Sequence, residues 1–469
     1  MSEKLNDSSE PDFSEFDDWN RSKFGFSVRD KDLNNHQKQI VKNNIALLLH
    51  REKWEAKVKA FEAKLIKIED KQKRKNKRDE FVIHFNRHEF NLEYRNFVRY
   101  HFPCFTSFQR VNFGEDYVDF SEAQFSEGGV SFLNAKFGKE GAGFIETKFS
   151  NGSVSFEEAK FEGGSVSFAG ANFGEGVVIF DEAIFGNDSI NFSRSDFKGS
   201  VSFRKTKFGK GDVSFEDVKI AGTLDINATF KGKVKFIRLD VLGSASFARS
   251  KFKTVPNFRD MNLNRPPEVA DMEVPPKKLK MGDNPFAKYS GDKNDASKYR
   301  KLKSMAIAAS DHVKSGEFFA YEMMAKRGFE TKGKFTLFVD YLYGLFSGYG
   351  QSFKRPLIWL IGLWVGFACL NIWKIFQELV FKSELDFWQN IGLSFTISAR
   401  NLIPFFNSLS RFAPSPKGYE SWFQKSMNRL ETESVNIDFL TFFGIIEQLI
   451  GAILLFLLLL GLRNKFRLK

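Results

Sequence analysis

Few side chains in this sequence have the type and spacing for chemistry, and they gather towards its C-terminal end. Glu447 and Gln448 stand in the apolar run "IIEQLIGAILLFLLLLGL" (445–462). A carboxylate at bilayer depth is costly, so it reads either as a functional candidate or as a solvated or arginine-paired group near the interface. Upstream, "LDFWQNIGLSFTISARNLIPFFN" (385–407) supplies Thr396, Ser398, Arg400 and Asn401, the hydroxyl, amide and guanidinium groups that would line the mouth of a pore. Elsewhere the chemistry is thin. His84 and His88 in "HFNRH" are four apart but lack the glutamate of a zinc protease motif. Six histidines are scattered, and the sequence holds no Ser-His-Asp pattern and no phosphate-cradling loop. Cys104 and Cys369 suggest neither a disulfide framework nor a zinc site. Catalytic, cofactor and metal residues are therefore not expected.

The elements that would position the polar groups are apolar. "PLIWLIGLWVGFACLNIW" (356–373) has 18 residues without a charge, and 445–462 is a second run of that kind. Both are long enough to cross a bilayer core. Lys354 and Arg355 precede the first run; Arg463, Lys465, Arg467 and Lys469 follow the second. Basic flanks belong on the cytoplasmic side. The N-terminal stretch "MSEKLNDSSEPDFSEFDDWN" is acidic and has no apolar core, so residues 1–33 read as disordered and not as a signal peptide. The expectation is a bacterial inner-membrane protein with two spans, both termini cytoplasmic, and the lipid bilayer as its first partner.

The tripeptide GYG at 348–350 also occurs in the selectivity filter of potassium channels. A filter must lie between two spans, behind a short pore helix. This one precedes the first span, so it reads as a juncture between an interfacial helix, "FTLFVDYLYGLF", and that span. The region between the spans fits better. Its apolar stretch is too short to cross and suits a re-entrant or interfacial helix. It resembles the pore helix of two-span ion channels, with "GLSFT" at the end and Pro404 following, and the second span resembles their inner helix. "ISARNLIP" stands where a Thr-Val-Gly-Tyr-Gly run would be, and Arg400 would oppose cations. Potassium selectivity is not implied.

The largest signal is a repeat. Phenylalanine occurs 57 times in 469 residues, and from Phe108 to Phe197 the gaps alternate 5, 7, 5, 7 without exception. Units such as "VDFSEAQFSEGG" and "VSFEEAKFEGGS" share the frame V-x-F-x-x-A-x-F with a Gly-containing tail. In an extended segment, residues two apart share a face, so Val154 and Phe156 point one way, and Ala159 and Phe161 repeat this five residues on. No helical period fits such spacing. Stacked coils of a β-solenoid do, with Phe120, Phe125, Phe132, Phe137, Phe156, Phe161, Phe168, Phe173, Phe180 and Phe185 in ladders inside and the tails supplying positive-φ corners. "AKFEG" and "ANFGE" resemble the unit of the pentapeptide-repeat proteins over residues 104–260. The resemblance implies a right-handed quadrilateral β-helix and no enzyme; the seven-residue gaps imply enlarged corners. Residues 108–190 carry 14 acidic and 5 basic side chains, and 191–260 carry 7 and 15. That dipolar surface suits a protein partner better than DNA mimicry, so nucleic acid is not expected.

Flanking segments complete the plan. In 34–80, Ile40, Leu47, Trp54, Phe61 and Ile68 recur every seven residues, which fits a short coiled coil or a cap on the open solenoid end. The basic run "KQKRKNKR" (71–78) suits a solvated helix end or a contact with anionic lipid. A Pro-rich linker is expected at 264–294, then connector helices at 295–350 divided near Gly316, which resemble the connector of membrane-bound pentapeptide-repeat proteins. The function expected is a membrane-anchored scaffold presenting a cytosolic β-helix for protein interaction. The alternative is a homo-oligomeric two-span ion conductor with a non-potassium pore segment.

Overall fold

The computed structural model describes residues 11–19, 34–88, 96–126, 128–274, 292–327, 329–331, 333–378, 384–402, 423–428 and 437–466. The chain divides into two compact units, one of residues 1–279 with 289–325 and one of 280–288 with 326–469. The first unit is a β-solenoid of about eight turns. Its strands pair only in parallel: Val130 pairs Val154, and Val154 pairs Val178. Corner partners such as Asn134 and Glu158 lie 24 residues apart, so one coil is two 5-plus-7 units. Within a coil the strands Val130–Ser131, Lys136–Phe137, Ala142–Gly143 and Lys148–Phe149 form four faces.

Each face turns a small or branched residue and a phenylalanine inward. Val154, Phe156, Ala159 and Phe161 are all buried, while Lys160 between the last two is exposed. Successive rings stack: Phe132 on Phe156 at 4.8 Å and 7°, then Phe156 on Phe180 at 5.0 Å and 2°. Rings of two opposed ladders meet edge to face, Phe156 against Phe168 at 5.4 Å and 81°. Both geometries suit the aromatic quadrupole. Phe120, Phe132, Phe168 and Phe180 belong to these two ladders, Phe125 and Phe173 to a third, and Phe137, Phe161 and Phe185 to a fourth, and all are equally buried.

The corners differ from expectation. Positive φ falls on the residue before each small inward residue, Ala, Thr147 or Ser195: Glu122, Asn134, Glu146, Glu158, Gly170, Glu182 and Arg194. For non-glycine residues this conformation costs about 1 kcal/mol each. It aims their N–H along the axis at the next coil, as in Glu122 to the Ile145 carbonyl at 2.8 Å and Asn134 to that of Glu157 at 2.8 Å. Gly129, Gly141, Gly164 and Gly174 in the tails add further left-handed positions. After Phe197 the coils shorten, to 23 residues between Glu182 and Lys205 and 21 between Asp217 and Arg238. Strands Val201–Phe208 and Leu224–Phe230 then run through what had been a corner, and the repeat loosens accordingly.

The solenoid is longer than 104–260. It starts at Val82–His84, which pairs with Phe105–Ser107, and continues to Glu273, which bridges to Lys251. Val269, Met272 and Val274 are buried, so 264–274 is a further coil and not linker; 275–291 lie outside the described residues. Both ends are covered. At the N-terminal end, α1 (Asn35–Leu48), α2 (Arg51–Ile66) and α3 (Lys71–Asp79) replace the single helix expected over 34–80. The heptad residues Ile40, Trp54 and Phe61 are buried in the same core as the first coils, with Trp54 Nε1 donating to the His101 carbonyl at 2.8 Å. They cap the solenoid; they do not form a coiled coil. Part of the segment expected to be disordered joins them: Ser14–Trp19 is a 3₁₀ turn that buries Phe16 and Trp19, because two large aromatics gain more by burial than the turn loses in entropy. Residues 1–10 and 20–33 lie outside the described residues.

At the other end, α4 (Asp295–Ala308) and α5 (His312–Lys326) cap the last coil. The Tyr299 hydroxyl donates to the Val274 carbonyl at 3.1 Å, and Lys314 Nζ to that of Met272 at 2.7 Å. Buried Glu322 joins the two helices through Arg300 at 3.0 Å and Lys303. The break between the helices falls at Ser310, with φ 58°, and not at Gly316, which lies inside α5.

The second unit contains α6 (Lys334–Ser347), α7 (Lys354–Glu378), α8 (Glu384–Leu402) and α9 (Ile437–Phe466). Two of them, over Lys354–Gln377 and Asp438–Phe466, are long and apolar enough to cross a membrane. α8 differs from the short segment expected. It is one continuous helix of 19 residues, about 28 Å long, packed along α7 and α9. "ISARN" continues that helix through Leu402 and does not turn into an extended filter; Pro404 and the rest of 403–407 lie outside the described residues. Close approach of α8 to α9 depends on Gly451, where a Cβ would sit 2.7 Å from the Leu402 carbonyl oxygen.

Three tests follow from this packing. Phe156→Ala empties one rung of a ladder and should cost about 3–5 kcal/mol in denaturant unfolding, against under 0.5 kcal/mol for the exposed Glu157→Ala. Burial holds the His101 imidazole below its ordinary value of 6.5, so the unfolded chain takes up a proton that the folded chain refuses. Stability should therefore fall as pH drops through 6.5, and His101→Gln should flatten that slope between pH 7 and 5. Gly451→Ala presses on backbone and should lower the thermal midpoint of the helical unit by about 1–3 kcal/mol equivalent, whereas Gly444→Ala, facing only the movable Asn401 amide, should cost less.

Candidate functional site

Polar groups come together in three places, two in the helical unit and one on the solenoid. In the helical unit the sequence predicts Thr396, Ser398, Arg400, Asn401, Glu447 and Gln448 as a polar set, and three of them meet. The helical period explains which: Ser398 and Asn401, three apart, lie on the α8 face turned to α9, whereas Thr396 and Arg400 lie to either side. Glu447 is fully buried, and its Oε1 lies within hydrogen-bond reach of the Ser398 hydroxyl. That hydroxyl also reaches the Trp364 carbonyl of α7 at 2.9 Å. Asn401 extends to the same carboxyl and to the space above Gly444. Glu447 Oε2 is buried without a hydrogen-bond partner.

The other three residues turn away. Thr396 bonds back to the Gly392 carbonyl at 2.8 Å, a common local satisfaction of a helical hydroxyl. Arg400 lies over the Phe423 ring at 4.2 Å, and Gln448 is exposed on α9. Cys369 is exposed on α7.

The GYG stretch is a corner. Gly348, Tyr349 and Gly350 have φ of 57°, 59° and 76°, ending α6 and starting the turn into α7. A left-handed tyrosine needs support, and Tyr349 has it: buried, its hydroxyl contacts Asp340 Oδ2 at 3.1 Å and Arg327, which itself pairs with Asp340. Burial holds the Tyr349 hydroxyl above its ordinary range. Sequence reading missed this trio. Asp340, a lone charge within "FTLFVDYLYGLF", was the available signal.

In the solenoid, the positive-φ corners stack into two ridges on opposite edges, and their side chains pair from coil to coil. On one ridge Arg99 Nε meets Glu122 at 2.7 Å, and Asp217 meets Arg238. The guanidinium holds the Glu122 carboxyl below its ordinary range. Gly170 interrupts this ridge. On either side of it, among the described residues, Glu146 and Arg194 have no ion pair, and a groove of about 590 Å³ opens there. Arg99, Glu122, Ile145, Glu146, Gly170 and Arg194 contribute to its lining. Ile145 is 40% exposed on its floor. The other ridge pairs Asn134 with Glu158 and Glu182 with Lys205.

Other residues with catalytic or ligating potential are placed structurally. Cys104 is buried in the first coils, and burial pushes its thiol far above the reactive range. His84 is buried in the first strand, and no group of three His, Cys, Asp or Glu that could hold a metal occurs among the described residues. The basic run forms α3, capped by Asp70 and tied by Arg78 to Glu62 at 3.1 Å.

No curated protein and no solved structure matches the chain. A family model does: the one described as Pentapeptide repeats (9 copies) matches residues 180–227, so the middle coils of this solenoid are similar to that family.

Proposed function

We propose that the chain is a membrane-anchored scaffold: α7 and α9 span the inner membrane of a bacterial cell, and the solenoid offers a cytosolic surface to a protein partner. The interrupted ridge at Gly170 carries the reading. A surface selected only for solubility would continue its coil-to-coil pairs. Here Glu146 and Arg194 stand two coils apart with opposite charge, and exposed Ile145, next to Glu146 in the chain, lines the same groove. A partner segment with an apolar and a basic side chain side by side and an acidic one further along complements that surface, and charge order of this kind gives orientation and specificity.

The orientation has support within the helical unit. Asn464 Nδ2 donates to the Gly350 carbonyl at 2.9 Å, and Lys465 lies over the Phe353 ring at 4.4 Å. The start of α7 and the end of α9 therefore meet, at the end carrying Lys354, Arg355, Arg463 and Lys465, which the positive-inside tendency assigns to the cytoplasm. Exposed Ile358, Ile361, Ile453 and Phe456 suit lipid or further copies of the chain. The ion-conducting alternative has the buried Glu447 as its support, but α8 stays helical where a filter would stand.

A photo-crosslinking side chain at position 145 of the full chain tests the scaffold in cells. It should trap one protein, and the same one when α7 and α9 are exchanged for unrelated spans. Glu146→Lys and Arg194→Glu should each cut the yield about tenfold, the equivalent of one lost charge pair. A product that vanishes with the exchanged spans, or ignores both reversals, overturns the reading.

A further inference from the structure

The buried carboxyl of Glu447 has no role in the scaffold, and the helices hold it at a cost. It is wholly enclosed between α7, α8 and α9. Its contacts are neutral: the Ser398 hydroxyl and the Asn401 side chain, with the Trp364 carbonyl one hydroxyl further on. The nearby cations face elsewhere, Arg400 over the Phe423 ring and Lys374 over the Phe439 ring at 5.2 Å. Gln448, next on α9, is exposed. An isolated carboxylate among apolar helices is not sustained; it is neutralised by a bound positive charge or replaced.

The surrounding atoms are those a small cation uses. Glu447 Oε2 has no partner, Ser398 Oγ has an acceptor lone pair, and the Trp364 carbonyl oxygen lies 2.9 Å from that hydroxyl. Hard monovalent cations take carboxylate, hydroxyl and carbonyl oxygens, whereas a divalent metal would call for a second carboxylate. The set is drawn from three helices, so occupancy also ties them together. We propose that Glu447, Ser398 and the Trp364 carbonyl form a binding site for a monovalent cation, sodium or a proton, buried in the helical unit. This proposal does not rest on the scaffold reading.

The test uses the full chain in lipid nanodiscs, with sodium chloride exchanged for choline chloride at constant ionic strength. If sodium is the ligand, the thermal midpoint of the helical unit rises on the order of 5 °C between the dissociation constant and 100 times it, and Glu447→Gln abolishes the rise. If the proton is the ligand, the midpoint ignores sodium, and wild type shows an infrared carboxylic-acid C=O band that Glu447→Gln removes. Should that variant not fold, Ser398→Ala serves for the sodium response, and glutamate isotope labelling of wild type serves for the band. Absence from wild type of any carboxylic-acid band assignable to Glu447, with no response to sodium, overturns the proposal.

Discussion

One constraint governs the solenoid: every coil must bring the backbone back one strand spacing along the axis, in register, so that its N–H groups meet the carbonyls of the next coil. Strands pair about 4.8 Å apart, which is also a separation at which offset aromatic rings attract. Phenylalanine therefore satisfies two demands with one residue. Its ring fills half the width of the lumen, and its stack repeats at the hydrogen-bonding distance, 4.8 Å from Phe132 to Phe156 and 4.9 Å from Phe168 to Phe192. The smaller Val or Ala two residues earlier leaves room for the rings entering from neighbouring faces. Where coils shorten after Phe197, Ile220 and Ile226 take over inward positions. The ladder tolerates this because pairing resumes beyond a one-residue register shift: Val201 pairs Leu224, and past the irregularity between Arg204 and Lys207, Phe208 pairs Phe230.

A stack of parallel strands has two open ends, and each would template further pairing. The chain closes both with helices whose large side chains complete the lumen. Trp54 packs on Phe102 at 5.5 Å at one end, and Tyr299 bonds the Val274 carbonyl at the other. The caps follow from the ladders in a direct sense, since only a wide aromatic surface can cover a lumen filled with rings. They also explain why aromatic residues extend as far upstream as Phe13 and Phe16.

The strict part of the repeat was legible because its information is local and redundant. Each unit restates which residues face inward, and the 24-residue coil follows from two units. Its boundaries were harder to read. "NRPPEVADMEVP" reads as linker by composition, yet Val269, Met272 and Val274 keep the inward spacing with other residue types. Heptad spacing over Ile40 to Phe61 described a buried face correctly without saying what buries it. In the helical unit, period and burial could be read but not azimuth. Whether Ser398 or Arg400 faces Glu447 depends on how α8 rotates against α9, and that is fixed by contacts such as Gly451 with the Leu402 carbonyl, which leave no trace in a single sequence.

The two units treat charge in opposite ways. On the solenoid, charges stand in water and pair across coils, as Glu182 does with Lys205, so each is cheap and each is replaceable. Only the arrangement matters there, and a glycine that removes one rung changes the surface more than any single charge does. Between the helices one carboxyl is enclosed with neutral groups, where desolvation dominates and pairing does not offset it. A leucine at position 447 would pack between α7 and α8 without that cost. Glu447 therefore sets this helical unit apart from a plain pair of apolar helices, and the Ser398 hydroxyl aimed at it is the structural sign that α8 takes part.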